Sequence, residues 1–159
     1  MADTNTENMN DKLRVLILCT GNSARSQMAE GILRSIAGDR FDVESAGTMA
    51  TFVRPQAIAV MREVGIDLSN HRSKCLDEFL DQHFDYIITV CDNASQTCPV
   101  FPGNATRILW SFDDPAEAKG SEEEVIAVFR RVRDEIEVKL SDFVGGNRTT
   151  ATDRGSGRC

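Results

Sequence analysis

Hydrophobic and polar positions follow two different periods along this chain. Apolar runs that are typical of buried strands alternate with segments in which apolar residues recur every three or four positions, as they do in helices. The strand-like runs are residues 13–18, 41–46, 84–90 and 107–110, and helical spacing occupies residues 25–37, 55–64 and 121–140. This order predicts a single-domain α/β fold with a four-stranded parallel sheet and helices on both faces.

The pattern also predicts where the domain begins and ends. Residues 1–11 form a polar N-terminal extension, and residues 12–144 hold all the periodic segments. Residues 145–159 have no apolar pattern, so we expect them to form a disordered tail. Ser121 and Glu124 have the spacing of a capping box, which predicts the start of the last helix.

Charge and cysteine content exclude several classes of protein. The formal net charge of −7 disfavours a nucleic acid or an anionic membrane as partner, and no apolar run is long enough to span a bilayer. The polar first residues do not resemble a signal peptide, so we expect a cytoplasmic protein, which we take to be a monomer. The 5 cysteines lack metal-ligand spacing, which predicts reactive thiols with no metal and no cofactor.

The segment between the first strand and the first helix carries the strongest chemical signal. Cys19 ends the apolar run, and Arg25 stands where helical spacing begins. Backbone N–H groups of such a loop form a nest for a tetrahedral oxyanion, and the helix N-terminus adds positive potential. The same field favours a thiolate, so we expect Cys19 to be a nucleophile with a lowered pKa. The predicted oxyanion-binding residues are Thr20, Gly21, Asn22, Ser23, Ala24, Arg25 and Ser26.

A less specific interpretation of this segment is a buried cysteine at a strand end, followed by a solvated arginine. The C-x(5)-R spacing alone would not exclude it. The preceding strand, the glycine and asparagine inside the segment, and the helix after it favour the oxyanion loop.

Two other groups follow strands of the same predicted sheet. Cys91 comes after the third strand, and Asp114 follows the fourth. Because the carboxyl ends of parallel strands share one edge, we expect both residues to lie near Cys19. Asp114 precedes Pro115, which keeps it out of a helix and suits a general acid, although an ordinary Asp-Pro turn has the same sequence.

Cys91 and Cys98 flank a short segment that we expect to be helical. A helix would separate their Cα atoms by about 10 Å, whereas a disulfide needs about 7 Å or less. We therefore expect a redox switch in which the segment unwinds on oxidation. The alternative is two unrelated thiols.

Taken together, these motifs resemble the thioredoxin-coupled arsenate reductases, whose fold is shared with low-molecular-weight protein tyrosine phosphatases. The resemblance rests on CTGNSARSQMAEG from residue 19, SAG from residue 45, GIDLSNHRS from residue 65, ITVCDNASQTCP from residue 88 and FDDPA from residue 112. It covers residues 13–143 and implies reduction of arsenate, with phosphate or sulfate able to occupy the same loop.

The resemblance also implies a role for each cysteine of a relay. Cys19 would attack arsenic while Asp114 helps an oxygen leave. Cys91 would then attack Cys19 and release arsenite. Cys98 would attack Cys91 and so move the disulfide to the Cys91–Cys98 pair, where thioredoxin reduces it. Some relatives bind potassium through side chains that match Asn22, Glu30 and Ser45, but Lys74 stands where they place an acidic residue, so we expect no potassium requirement.

Three other functions remain open at this stage. A tyrosine phosphatase would use the same loop, but Pro115 is followed by Ala-Glu-Ala-Lys instead of aromatic residues that would hold a substrate ring. A redox or oxyanion sensor would form the disulfides without turnover. A reductase that uses a low-molecular-weight thiol would leave Cys91 and Cys98 without a role.

Overall fold

The computed structural model of the chain describes residues 12–90 and 105–153, with side chains described up to residue 146. The strands are β1 (Leu13–Cys19), β2 (Phe41–Gly47), β3 (Tyr86–Thr89) and β4 (Thr106–Leu109), and the α-helices are α1 (Arg25–Ala37), α2 (Pro55–Arg62) and α3 (Glu122–Asp153). Two short 3₁₀ helices cover Leu76–Phe79 and Pro115–Glu117. Cys91 and Cys98 lie outside the described residues, so the predictions about them stay predictions.

The four strands form one parallel sheet in the order β2-β1-β3-β4, which confirms the predicted α/β fold class. Cys19 pairs with Gly47 at the carboxyl ends of β1 and β2. Thr89 at the end of β3 pairs with Leu18 on one side and with Leu109 on the other. The carboxyl ends of the strands therefore meet at one edge, where loops can bring distant residues together.

The core covers both faces of this sheet. Val15, Leu16, Ile17 and Leu18 follow one another along β1, and each is 0% exposed. Successive side chains of a strand point to opposite faces, so elements pack on each side of β1. From α3, the residues that contribute fully buried side chains recur at helical spacing: Phe129, Val132, Ile136 and Leu140. This packing anchors the strand that carries Cys19.

The helix boundaries show which local signals were decisive. Ser121 Oγ accepts a hydrogen bond from the Glu124 backbone N–H at 3.1 Å, and Glu124 Oε1 accepts one from the Ser121 N–H at 2.8 Å, which confirms the capping box. Helix α2 ends at Arg62, earlier than its apolar spacing indicated, and Val64 is 48% exposed. Gly65 adopts φ of +82° and closes a turn in which the N–H groups of residues 64–66 bond to the last helical carbonyls.

Helix α3 continues to Asp153, so residues 145–153 are helical although we predicted a tail from residue 145. The expectation rested on the absence of an apolar pattern after residue 144. A glycine costs about 1 kcal/mol in a helix, but it does not forbid one, and no proline follows to remove a backbone donor. Adding a residue to an existing helix also avoids the cost of nucleation. None of the described helices combines the length and apolar character that crossing a membrane requires.

Candidate active site

Cys19 lies at the carboxyl end of β1, and only 2% of it is exposed. Its sulfur accepts a hydrogen bond from the Asn22 backbone N–H at 3.2 Å and lies 2.9 Å from Ser26 Oγ. The Asn22 side-chain amide donates to the same Ser26 oxygen at 2.7 Å, which leaves the Ser26 hydroxyl hydrogen free to donate to the sulfur. Ser26 belongs to the first turn of α1. Donated hydrogen bonds and a helix N-terminus both favour a thiolate over a thiol.

Asn22 fixes the shape of the loop. Its φ of 49° lies in the left-handed region, which asparagine tolerates better than most residues. Its side-chain NH₂ donates to Ser26 Oγ at 2.7 Å and to Ser45 Oγ at 3.0 Å. Its Oδ1 accepts from Gln27 Nε2 at 2.8 Å and from the Lys74 backbone N–H at 2.7 Å. The amide thus uses its full hydrogen-bonding capacity while it is 0% exposed.

Gly47 lets strand β2 approach this loop closely. A Cβ atom at position 47 would lie 2.5 Å from the Thr20 carbonyl oxygen and 2.8 Å from the Asn22 backbone nitrogen. Both are backbone atoms that cannot rotate away, so no larger residue fits without displacing the loop. This contact explains why glycine ends the motif SAG.

Arg25 connects the loop to the segment after β4. Its Nη1 donates to the Phe112 carbonyl oxygen at 3.2 Å, and its Nη2 lies 3.3 Å from Asp114 Oδ2. Asp114 has an extended backbone, as the following Pro115 requires, and its Oδ1 accepts from the Ala116 N–H at 3.0 Å. The predicted general acid therefore lies beside the predicted anion-binding arginine. Its neighbour Asp113 instead pairs with Arg131 on α3.

These groups surround a cavity of about 180 Å³ at the carboxyl edge of the sheet. That volume holds a small oxyanion with a few waters, since a water takes about 30 Å³ in the liquid. The wall after Asp114 is Ala116, a methyl group where a ring could have stood. The lining residues are Cys19, Thr20, Gly21, Ser23, Ala24, Arg25, Met49, Thr51, Arg54, Asp114 and Ala116.

A buried ionic cluster lies behind the loop. The Ser45 hydroxyl donates to Glu30 Oε1, and Arg34 Nη2 lies 2.6 Å from Glu30 Oε2. Lys74 Nζ lies 3.7 Å from Glu30 and 3.0 Å from Glu44, with only 8% of the lysine exposed. The Lys74 ammonium therefore supplies positive charge next to Glu30, one of the side chains that the resemblance associates with potassium.

His71 extends this network away from the loop. Gln27 Oε1 lies 2.9 Å from His71 Nδ1, and this carbonyl oxygen can only accept, so Nδ1 carries the proton. Burial lowers the pKa of His71, although the nearby Glu30 carboxylate opposes the shift. A neutral His71 therefore orients Gln27, which in turn holds Asn22. His71 therefore has a structural role in this network.

The structure brings most of the predicted site residues together. Cys19, Arg25 and Asp114 share one cavity with four of the predicted loop residues: Thr20, Gly21, Ser23 and Ala24. Asn22 and Ser26 are 0% exposed and support the loop from behind.

Met49, Thr51 and Arg54 also line the cavity, although no sequence motif predicts them there. The predicted site residues follow the carboxyl ends of the first, third and fourth strands, whereas these three follow the second. The same edge rule applied to residues 48–54, which follow β2, would have identified them.

Comparison with known proteins identifies close relatives. The family model for the low molecular weight phosphotyrosine protein phosphatase matches residues 14–153. The arsenate reductase of Halalkalibacterium halodurans is 50% identical over 135 residues, which cover 85% of this chain and 96% of that protein.

Two solved structures share the fold. One, an arsenate reductase in the phosphate binding state, is 30% identical with a TM-score of 0.68, and the match covers 84% of this chain and 97% of that one. The arsenate reductase of Archaeoglobus fulgidus is 31% identical with a TM-score of 0.68, covering 82% and 98%. Both matches span nearly the whole of the solved chains.

Proposed function

Because this chain belongs to the low molecular weight phosphotyrosine protein phosphatase family and is half identical to an arsenate reductase, we propose that it reduces arsenate to arsenite. The family that the sequence motifs suggested is thereby confirmed. One observation carries the chemistry: the buried Cys19 sulfur faces a small cavity and receives hydrogen bonds from the loop that surrounds it. A thiolate at the base of an oxyanion pocket can attack the central atom of its guest.

The first step of the proposed reaction uses described residues alone. Arsenate occupies the loop, where backbone N–H groups and the Arg25 guanidinium hold its oxygens. The Cys19 thiolate attacks arsenic, and one oxygen leaves as water after it takes up protons, one of them from Asp114. The product is a Cys19 thioester of arsenate, in which arsenic is still pentavalent.

The second step transfers two electrons to arsenic and depends on Cys91. The Cys91 thiolate attacks the Cys19 sulfur, a disulfide forms, and the electron pair of the sulfur–arsenic bond stays on arsenic. Arsenite leaves as the trivalent product. Cys98 then attacks Cys91, which frees Cys19 and leaves a Cys91–Cys98 disulfide that a dithiol must reduce.

We assign thioredoxin as that dithiol partner and the cytoplasm as the compartment. A relay that ends in a disulfide needs a reducing environment to be renewed, and the cytosol supplies one. The third cysteine moves the oxidised pair away from a pocket in which Cys19 is only 2% exposed.

Hydrolysis of phosphate monoesters is the second candidate, because the family model bears the name of a phosphatase. The wall after Asp114 argues against an aryl substrate, since Ala116 offers a methyl group and no ring. Comparing arsenite formation with hydrolysis of an aryl phosphate distinguishes the two. Arsenite formation over many turnovers would also exclude a sensor that forms disulfides only once.

The decisive experiment maps thiol pairing after one equivalent of arsenate. Reduced protein is mixed with arsenate, quenched by alkylation and examined by mass spectrometry. We expect one equivalent of arsenite and a Cys91–Cys98 disulfide. Arsenite formation without this pairing would refute the relay, and no arsenite would refute the proposed function.

Replacing Cys98 tests the relay separately. Cys98→Ser should release arsenite once, accumulate the Cys19–Cys91 disulfide and fail to recycle with thioredoxin. Cys75→Ser is the matched control, because Cys75 is a partly exposed free thiol that does not line the cavity. Sustained cycling of Cys98→Ser would contradict the assignment.

A further inference from the structure

Two buried side-chain nitrogens have no hydrogen-bond partner among the described residues, and they belong to Arg40 and Arg54. Arg40 precedes β2 at the amino edge of the sheet. Arg54 follows β2 at the carboxyl edge and lines the cavity that holds Cys19. Because buried donors are nearly always satisfied, an unpaired one beside an anion pocket calls for a ligand.

The chain holds Arg54 firmly in this position. Its backbone N–H donates to the Ser23 carbonyl oxygen of the loop at 2.9 Å, and the following Pro55 begins α2. Its guanidinium carbon lies 4.8 Å from the centre of the Phe52 ring, within range of a cation–π contact. The side chain is thus oriented before any ligand arrives, which lowers the entropy that binding would cost.

The charges around the cavity distinguish Arg54 from Arg25. The Arg25 guanidinium is shared with the Asp114 carboxylate and the Phe112 carbonyl oxygen. Within the described part of the chain, no carboxylate lies at ion-pair distance from Arg54. The positive charge of Arg25 is largely compensated and that of Arg54 is not, so the charge that an incoming anion meets is mainly that of Arg54.

We propose that Arg54 is a second anion-binding residue of the site, which donates to an oxygen of the bound oxyanion and selects its doubly charged form. The inference rests on the proposed function, because it assumes that the Cys19 loop is the oxyanion site. Arsenate carries one or two negative charges near neutral pH, as phosphate does. The Cys19 thiolate repels the dianion, and the uncompensated guanidinium offsets that repulsion.

Binding of inorganic sulfate and phosphate tests the proposal without turnover. Sulfate is doubly charged throughout, whereas inorganic phosphate gains its second charge around neutral pH. Calorimetry on Arg54→Gln should show sulfate affinity reduced about tenfold or more, the loss expected for one charge-assisted hydrogen bond. For phosphate, the ratio of wild-type to variant affinity should grow as the pH rises. Arg54→Lys should recover much of the lost affinity.

Arg40→Gln is the matched control, because Arg40 also stacks on a phenylalanine, at 5.2 Å, and has an unpaired nitrogen, but it lies outside the cavity. It should bind both anions as the wild type does. In steady-state assays, Arg54→Gln should raise KM for arsenate by the factor seen for sulfate and leave kcat within about twofold, which a general structural defect would not do. Unchanged sulfate affinity in Arg54→Gln, or an equal loss in Arg40→Gln, would overturn the proposal. Reduced anion binding without arsenite formation in the wild type would refute the reductase function and leave the Arg54 assignment standing.

Discussion

Two regions meet at the Cys19 sulfur, and they differ in how completely their polar groups are paired. We call the buried residues behind the loop the floor: Asn22, Ser26, Gln27, Glu30, Ser45 and Lys74. We call the residues on the open side the mouth: Met49, Thr51, Arg54, Asp114 and Ala116. The Asn22 amide in the floor makes all four hydrogen bonds that it can make, whereas Arg54 in the mouth has a buried nitrogen without any.

This difference indicates that the floor supports the loop and that the mouth contacts the ligand. The floor groups bond to one another and, through Ser26, to the Cys19 sulfur, so the floor acts by holding the loop in one shape and by stabilising the thiolate. An unpaired cation or a weakly paired carboxylate can exchange its contacts for those of a ligand. Floor substitutions should therefore alter stability and thiol reactivity together. Mouth substitutions should alter binding or proton transfer and leave stability unchanged.

Replacing the sulfur shared by both regions should have the largest effect. Cys19→Ser removes the nucleophile but keeps a side chain of nearly the same shape, so we expect arsenite formation to fall by about 10⁴-fold or more. The midpoint of thermal unfolding should change little, and phosphate affinity should not fall, because the variant keeps the loop and lacks the thiolate that repels the dianion. Calorimetry checks both. Arsenite release by the serine variant would show that the chemistry does not start at residue 19.

Removing the mouth carboxylic acid should have the next largest effect. Asp114→Asn keeps an oxygen that can accept from the Ala116 N–H, but it cannot donate a proton in the reaction. We expect the first turnover to slow by about 10² to 10³, with stability unchanged, in rapid-quench measurements of arsenite. Asp113→Asn, which removes a charge paired with Arg131 outside the cavity, is the control. An unchanged single-turnover rate for Asp114→Asn would exclude it as the proton donor.

A floor substitution should slow the reaction less but destabilise the protein. Asn22→Ala leaves the partners of the Asn22 amide without their hydrogen bonds and places alanine at a positive φ. We therefore expect the free energy of unfolding to fall by about 3 kcal/mol. Displacement of the loop should slow the first turnover by about tenfold and raise the pH at which Cys19 is alkylated.

Asn22→Gly separates the two causes of that loss. Glycine adopts a positive φ freely, so it should recover about 1 kcal/mol in denaturant unfolding without restoring the hydrogen bonds. If Asn22→Ala were as stable as the wild type, the floor could not be a support.

Sequence alone located the loop and the sheet edge because both depend on local signals. The apolar run into Cys19 and the helical spacing after Arg25 are visible in the chain, and the parallel-sheet rule added Asp114. The pairings of the floor were not predictable, since Asn22 meets Lys74 through a contact between residues 52 positions apart. Such contacts depend on packing that no periodic pattern encodes.

The same limit explains the two errors at helix ends. The apolar spacing predicts that α2 reaches residue 64, but the helix stops at Arg62, and Gly65 lies in the turn that follows. The lack of an apolar pattern from residue 145 predicts a disordered tail, but α3 continues to Asp153, because the cost of Gly145 and Gly146 is small beside the continuity of an existing helix. The intrinsic helix propensity of a residue decides where a helix ends only if packing and helix continuity do not.

A third region, remote from both floor and mouth, should affect the pH dependence of stability and not the site. Glu63 follows α2, and its carboxylate lies 2.8 Å from Arg130 Nη2 and 3.0 Å from Arg133 Nη1 on α3. The hydrogen bond from Arg130 is the main cause that lowers the pKa of Glu63 from 4.5 to about 2, and burial opposes the shift.

Since the folded-state pKa of Glu63 is lower than its ordinary value, the ionised carboxylate stabilises the fold above about pH 4.5, and this contribution disappears as the pH falls towards 2. Glu63→Gln should therefore lower the thermal midpoint at pH 7 by a small amount, and the gap to the wild type should close on acidification. The exposed Glu137, changed to Gln, serves as control, and kcat and KM for arsenate at pH 7 should stay within about twofold in both variants. A gap that persists unchanged to pH 2 would mean that the arginines do not hold Glu63 ionised. A loss of arsenate affinity would mean that the α2–α3 contact reaches the mouth, because Arg54 stands directly before α2, and the three regions could then not be treated as independent.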